Sequence, residues 1–426
     1  MAEEVISKRR TREADPAPPA RDEPAVPERG LPRTTSPIGF ESHGLSKTHR
    51  QRRRPEFDSI VLLLQGGGAL GAYQAGVYEA LAESDLHPDW VAGISIGSIN
   101  AAILAGNPRN LRVQRLREYW EGVTTPAVSL LRSVLPQGDV TRGFVNQVSA
   151  AIALFGGAAG FFQPRFPSPW FYLPGAIEAT SYYDTMPLKA TLERLIDFDR
   201  MNSDHTDLRL SLGAVNVRSG NLIYFDSQSQ RITPEHVMAS GALPPAFPAI
   251  EIEGEHYWDG GLVSNTPLQW IVAQRPADSL VFQVDLWSAA GEMPRGLAEV
   301  ATRQKEIQYS SRTRAFTKSL KDRVKLQNAI VALLEELPED MKQSEHVKYL
   351  SAVARRHVYN LVQLIYRPKG HEGESKDYEF SRRSMEDHWR AGYHDAVHAL
   401  RHPEIFERPT GRDALVTFDL RRDGVD

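Results

Sequence analysis

Apolar residues follow two rhythms along this chain, short unbroken runs and stripes at steps of three and four, and their alternation predicts strands and helices in turn. Residues 60–64 form a continuous apolar run of strand length that ends at Gln65 and three glycines. Beyond Gly71, the positions Ala72, Ala75, Gly76, Val77, Ala80 and Leu81 fall on one helical stripe. A second short strand is predicted over residues 90–94, then a helix starting near Ile96 and ending before Gly106-Asn107-Pro108. Asn107 and Pro108 open another helix through Trp120, with Leu111, Leu116 and Tyr119 on its apolar side. After a looser region, Asp184 or Thr185 with Pro187 opens a helix carrying Leu188, Leu192, Leu195 and Ile196. Residues 208–217 and 222–225 read as strands joined by the turn Ser219-Gly220-Asn221. Thr233 and Pro234 open a short helix toward Ser240, and a second hairpin turns at Glu253-Gly254, its returning strand running into Asp259-Gly260-Gly261. A helix from Pro267 and a strand from Ser279 complete a succession that predicts an α/β sheet with helices on both faces, mostly parallel but with antiparallel hairpins.

Beyond Pro294 the pattern changes to long amphipathic helix. Phe316, Leu320, Val324, Ile330, Val331, Leu334 and Leu337 recur at helical spacing until Pro338. A strand is expected over 359–366. Ser384 and Asp387 make a capping-box pattern for a last helix striped by Met385, Trp389, Tyr393, Val397 and Leu400. The organisation expected is therefore a catalytic unit over 58–294 and a mainly helical C-terminal extension over 295–426, docked on it.

Two stretches depart from the alternation. Residues 1–57 are rich in Pro, Arg, Glu and Ser with almost no apolar run, so a disordered tail is expected. It lacks the apolar core of a secretory signal, and cytoplasmic residence is expected. Residues 148–162 are apolar, but too short for a bilayer span and broken by Gly156, Gly157 and Gly160. The insertion over 148–174 reads as a lid, a lipid-contacting surface or a buried structural excursion, and the pattern leaves all three open.

Composition narrows the picture only slightly. A 41% apolar share is ordinary for a globular chain of 426 residues, and a net charge of -4 gives no sign of a nucleic-acid partner. Without cysteine there is no thiol nucleophile and no thiolate metal site. No metal-ligand cluster is visible in the sequence, and no cofactor is expected.

The chemistry is concentrated near the start of the predicted sheet. Gly93-Ile94-Ser95-Ile96-Gly97 is a GxSxG elbow between a strand and a helix, where small residues flank the serine because the turn has no room for a Cβ. Such an elbow exposes Ser95 Oγ at the sheet's carboxyl edge; as a bare pentapeptide the pattern also describes a structural turn. Gly66-Gly67-Gly68-Ala69-Leu70-Gly71 fits the glycine loop of a dinucleotide fold, but that fold needs an acid at the end of the second strand, where this chain has Ser95. The remaining use of such a loop is as a cradle of N–H groups for the oxygen of a carbonyl under attack. Asp259 ends a strand and is followed by Gly260 and Gly261, which lets the backbone turn away from a carboxylate at the sheet edge. His256, earlier on the same strand and read as sharing the face of Asp259, is the nearest rival base but lies further from the edge. The residues favour a two-residue Ser–Asp pair, with a triad through His256 and a plain turn aspartate left open as alternatives.

GGGALG, then GISIG, then DGG far downstream, with SINAA after the elbow, ASGALPPAFP before the acid and LVSNTPL after it, closely resemble the motifs of patatin-like phospholipases. The resemblance covers roughly residues 58–290. It implies a modified α/β-hydrolase-type sheet between helices, with Ser95 as nucleophile, Asp259 as orienting and general base, and an oxyanion hole at Gly66, Gly67, Gly68 and Gly71. Ester hydrolysis of a phospholipid or other acyl lipid through an acyl-enzyme is then the expected activity. A transacylase using the same pair and a non-catalytic lipid-binding protein are the alternatives. Many relatives carry Arg or Lys before the last glycine of the loop; Leu70 here leaves the backbone cradle in place but supplies no cation for a phosphate. Lipid or acyl-ester substrate is the expected partner, with peripheral membrane contact left open.

Overall fold

The computed structural model describes residues 45–50, 53–124, 139–274, 277–354, 357–368, 374–409 and 414–420. Of the tail expected over 1–57, residues 1–44 lie outside these. Its last part is tied down: the Ser46 N–H donates to the Arg401 carbonyl at 2.8 Å, and Phe57 is buried.

The strands are β1 (Ser59–Leu64), β2 (Trp90–Ile94), the two-residue pair β3 (Gln163–Pro164) and β4 (Tyr183–Asp184), β5 (Arg209–Asn216), β6 (Leu222–Asp226), β7 (Ile250–Ile252), β8 (Glu255–Asp259), β9 (Ser279–Asp285), β10 (Tyr359–Ile365) and β11 (Leu415–Asp419). All except β3 and β4 join one sheet. At its centre β1 lies parallel to both β2 and β9, and its apolar run is buried on both faces, as a parallel strand covered by helices requires. The expected hairpins are present as the antiparallel pairs β5–β6 and β7–β8. The result is a mixed sheet with helices packed against it and a largely helical region after position 294, the class of fold expected.

The segment after 294 does more than lie against this sheet. Its strand β10 hydrogen-bonds in parallel along β9, and β11 extends the sheet beyond β10, so residues on both sides of position 294 share one hydrogen-bonded layer. The five residues of β11 carried too little pattern to be anticipated. The long helix spans Leu297–Glu336; from its stripe, Leu320 and Val324 reach the core. The last helix, Arg382–Leu400, begins earlier than the capping box at Ser384 and Asp387 suggested. Its cap is Ser381, whose hydroxyl accepts from the Ser384 N–H at 3.2 Å.

That last helix packs against Ala72–Glu83, the helix that follows the glycine loop. Two glycines set how close they come. A Cβ on Gly76 would overlap the Trp389 carbonyl, and a Cβ on Gly392 would overlap the Tyr73 carbonyl. Trp389 Nε1 donates to the Glu79 carboxylate at the same crossing, and Tyr73 Oη donates to Asp395 at 2.9 Å. Inside a helix, Gly→Ala ordinarily stabilises by about 1 kcal/mol. Here the sign reverses, because the obstacle is backbone. Gly76→Ala and Gly392→Ala are each expected to lower stability by about 1–3 kcal/mol in denaturant unfolding, the typical cost of overpacking; an unchanged or raised midpoint would contradict the close crossing.

Candidate active site

Ser95 is the single residue between β2 and the helix Ile96–Ala105. Turning a strand into a helix over one residue forces its backbone to φ 56 and ψ -125, a conformation that L side chains rarely adopt. Such strain persists only where the surroundings hold it. The Ser95 N–H is fixed on Ser240, donating to its carbonyl at 3.1 Å and its hydroxyl at 3.2 Å. Ser240 in turn donates to the Gly213 carbonyl at 2.5 Å. Gly93 and Gly97 let the turn close, since a Cβ on Gly97 would overlap the Leu64 carbonyl and one on Gly93 would overlap the Gly97 backbone.

Strand register brings Asp259 to this serine. Along one edge of β5, β6 pairs with residues 211–215. The other edge is shared: β2 runs parallel up to Ile94 opposite Gly213, and β8 arrives antiparallel with Asp259 opposite Ala214. The two strands therefore meet end to end, and the residue after Ile94 faces the last residue of β8. Ser95 and Asp259 line the same cavity, and the Ser95 hydroxyl is near enough to the Asp259 carboxylate to pull its pKa down. Asp259 Oδ1 accepts from the Gly261 N–H at 2.7 Å. The carboxylate is 2% exposed. Burial pushes its pKa up to about 6, against the downward pull of the Ser95 hydroxyl and the Gly261 N–H. Gly260 packs against β5, where a Cβ would stand 2.6 Å from the Gly213 carbonyl.

His256 does not share this face. It stands three residues before Asp259, so the pleat turns it to the opposite side of β8, where it is exposed. The rival base is thereby removed from the serine.

The glycine loop lies beside Ser95: a Cβ on Gly66 would be 3.0 Å from that of Ser95. Three side chains that the motifs did not single out hold it there. The Gly66 carbonyl accepts from Asn265 Nδ2 at 2.8 Å and from Trp287 Nε1 at 2.9 Å, while the Gly66 N–H donates to the Asn265 carbonyl at 3.2 Å. Gln65 is fully buried and acts as a staple, its Oε1 accepting from the Leu286 and Trp287 N–H groups at 2.6 and 3.1 Å, and its Nε2 donating to Thr266 at 3.1 Å. Gly66, Gly67 and Gly68 all line the cavity, and of these the Gly66 N–H and carbonyl are both engaged within the protein. Gly68 takes φ 55, and a Cβ on it would overlap the Asp377 carbonyl. Gly71 lies off the cavity, packed on Ile96 and Trp120.

Ser95, Asp259 and the loop share a cavity of about 290 Å³, near the lower end of the roughly 300–1,000 Å³ common for ligand sites. Its walls are mainly apolar: Ile96, Ile99, Ala153, Leu154, Phe161, Phe162, Leu243 and Phe247. Part of the rim comes from beyond residue 294, a region to which the motifs assigned no chemistry. Lys305, Tyr309, Asp377, Tyr378 and Phe380 all line the cavity, and Lys305 Nζ pairs with Asp377 Oδ2 at 2.9 Å. Leu70, in the place where a cation was looked for, is fully buried. Lys305 is the one basic side chain among the described lining residues. Among the described residues, no group of three His, Asp or Glu is placed to hold a metal ion.

Comparison with known proteins fits this geometry. The sequence pattern described as patatin-like phospholipase matches residues 62–269, and a second, described as patatin phospholipase, matches 307–412. Patatin-like phospholipase domain-containing protein 7 of Mus musculus is 36% identical over 88 residues, 20% of this chain and 6% of that protein. The lysophospholipase nte1 of Aspergillus terreus is 46% identical over 57 residues, 13% of this chain and 4% of that one. The chain thus spans only a small fraction of these relatives. VipD from Legionella pneumophila, a solved structure, aligns with 85% of this chain and 72% of its own at 14% identity and a TM-score of 0.35, too low to carry any property across. Matched by both patatin patterns over most of its length, the chain belongs to the patatin-like phospholipase family.

Proposed function

We propose that this protein is a serine acyl hydrolase that cleaves carboxylic esters of lipids, with Ser95 as nucleophile and Asp259 as general base. The observation that carries this reading is the placement of the Ser95 hydroxyl next to a buried carboxylate, in an apolar cavity that Gly67 and Gly68 also line. In this reading residues 58–294 supply the reacting groups, and residues 295–426 complete the cavity.

The steps follow from these positions. Ser95 Oγ attacks the ester carbonyl carbon as its proton passes to Asp259. The carbonyl oxygen, now negative, is met by the N–H groups of Gly67 and Gly68; one such donor typically contributes about 3 kcal/mol to the transition state. Asp259 returns the proton to the leaving alkoxide, which departs as an alcohol and leaves the acyl group on Ser95. Water then attacks the acyl carbon and gives its proton to Asp259; that proton passes to Ser95 Oγ as the fatty acid leaves. A single carboxylate serves both halves, and a pKa near 6 keeps it ionised at neutral pH while leaving it basic enough to accept the proton. The apolar walls suit an acyl chain. With Leu70 buried and Lys305 paired to Asp377, recognition falls more on the chain than on a phosphate.

Ser95→Ala is expected to abolish turnover of a p-nitrophenyl acyl ester, by at least about a thousandfold, and to block labelling by a fluorophosphonate, with the circular dichroism spectrum unchanged. Residual activity close to that of the parent would remove Ser95 from its role. Asp259 titrates upward-shifted, so the base is lost as pH falls through its folded-state value. The rate constant kcat/KM should therefore fall about tenfold per unit below about pH 6 and level off above it. Asp259→Asn should lose nearly as much as the serine variant at every pH; a variant that keeps the parent's rate and its acid limb would assign the base elsewhere.

A further inference from the structure

Five of the large apolar side chains left in water fall within one short segment that also reaches the cavity. Phe155, Phe166, Trp170, Phe171 and Leu173 are each more than four-fifths exposed, a density unusual on a solvated surface. Their segment also faces inward: Leu154, Phe161 and Phe162 line the cavity that holds Ser95, so one wall carries substrate space on its inner side and bare aromatic rings on its outer side.

This face is held out rather than collapsed onto the core. The pair β3–β4 anchors it, the Arg165 N–H donates to the Tyr182 carbonyl at 3.0 Å, and Arg165 Nε donates to Ser181 Oγ at 3.1 Å. The Tyr182 N–H in turn donates to the Pro245 carbonyl at 3.1 Å.

We propose that the outer face of residues 155–173 docks on a lipid layer, into which Phe166, Trp170, Phe171 and Leu173 insert so that the acyl substrate passes from the layer into the cavity. Two observations select lipid over a protein partner. Residues 151–177 contain a single charged side chain, Arg165, and its guanidinium is turned back to Ser181; a protein interface carries a polar, charge-bearing rim that is missing here. The stretch also carries fewer backbone donors than an ordinary loop, and an apolar medium makes an unsatisfied N–H costly. Pro164, Pro167, Pro169 and Pro174 have no N–H, and Phe171 and Tyr172 donate theirs to the Ser168 and Pro169 carbonyls at 3.0 and 3.2 Å. Trp170 has the amphipathic ring favoured at membrane interfaces. No helix among the described residues is long and apolar enough to cross a membrane, so this contact is peripheral.

The entry route rests on the hydrolase reading, but the docking itself is tested without it. The full chain carrying Ser95→Ala should co-sediment with dioleoylphosphatidylcholine vesicles. Adding Phe166→Ser, Trp170→Ser, Phe171→Ser and Leu173→Ser should cut the bound fraction by at least about tenfold. In the active protein, the same four changes should leave turnover of a water-soluble short-chain ester within about twofold while lowering turnover of a vesicle-embedded ester by at least about tenfold. Trp170→Glu alone, with an unchanged unfolding midpoint, should shift both readouts in the same direction. Equal sedimentation of parent and variant, no sedimentation of the parent, or a parent dimer that the four changes dissolve would overturn the proposal, the last by making a second copy the occupant. Vesicle binding without turnover of any ester would leave the docking standing and remove the hydrolase reading instead.

Discussion

β2 and β8 share one edge of β5 and end against each other, with Ile94 opposite Gly213 and Asp259 opposite Ala214. A carboxylate buried at that junction needs hydrogen-bond donors, because burying an unpaired charge is far more costly than burying a neutral group. It accepts from the Gly261 amide and is steadied by the nearby Ser95 hydroxyl, and with so little support its pKa stays near 6. The same scarcity that makes the site expensive for the folded state makes the carboxylate basic. Small residues are required at the junction: a Cβ on Gly213 would overlap Ile94, and one on Gly260 would press on the Gly213 carbonyl.

The glycine loop beside this junction is held from outside it. Gly66 is clamped by Asn265, which follows the acid strand, and by Trp287, which follows β9; Gln65 binds the amides of residues 286 and 287. Gly68 has no room for a side chain because the Asp377 backbone occupies it. Lys376 Nζ donates to Glu306 at 2.5 Å and Lys305 to Asp377 at 2.9 Å, so the long helix, the turn at 374–377 and the loop brace one another. The region after 294 is thus joined to the site three ways: through the sheet, through the crossing at Gly76 and Gly392, and through this brace.

Much of this was legible in the sequence because the relevant signals are local. Residues 60–64 and 90–94 are apolar runs bounded by glycine or serine turns, and each became a strand within a residue of its expected bounds. The helix from Pro234 to Ser240 followed from Thr233 and Pro234 alone. Long-range features were not legible. Nothing local in Asn265, Trp287 or Asp377 marks them as supports of Gly66 and Gly68, since the contacts span about 200 residues or more. One clue was available: Gly213-Ala214 is a pair of small residues inside an otherwise bulky strand, which is where two other strand ends must fit. The cap at Ser381 was missed because Ser384 and Asp387 offered the same chemistry three residues on. His256 lies an odd number of residues from Asp259, and in a strand an odd step changes the face.

The central claim is that hydroxyl, carboxylate and loop amides converge on one reacting carbonyl. A crystal structure of the protein inactivated by an alkyl fluorophosphonate tests this most directly, because the bound phosphonyl oxygen stands where the oxyanion forms. The account predicts a bond from Ser95 Oγ to phosphorus, the phosphonyl oxygen within about 3 Å of the Gly67 and Gly68 nitrogens, and the alkyl chain among Phe161, Phe162 and Phe247. An adduct on another residue, or a phosphonyl oxygen turned away from the glycine loop, would contradict it.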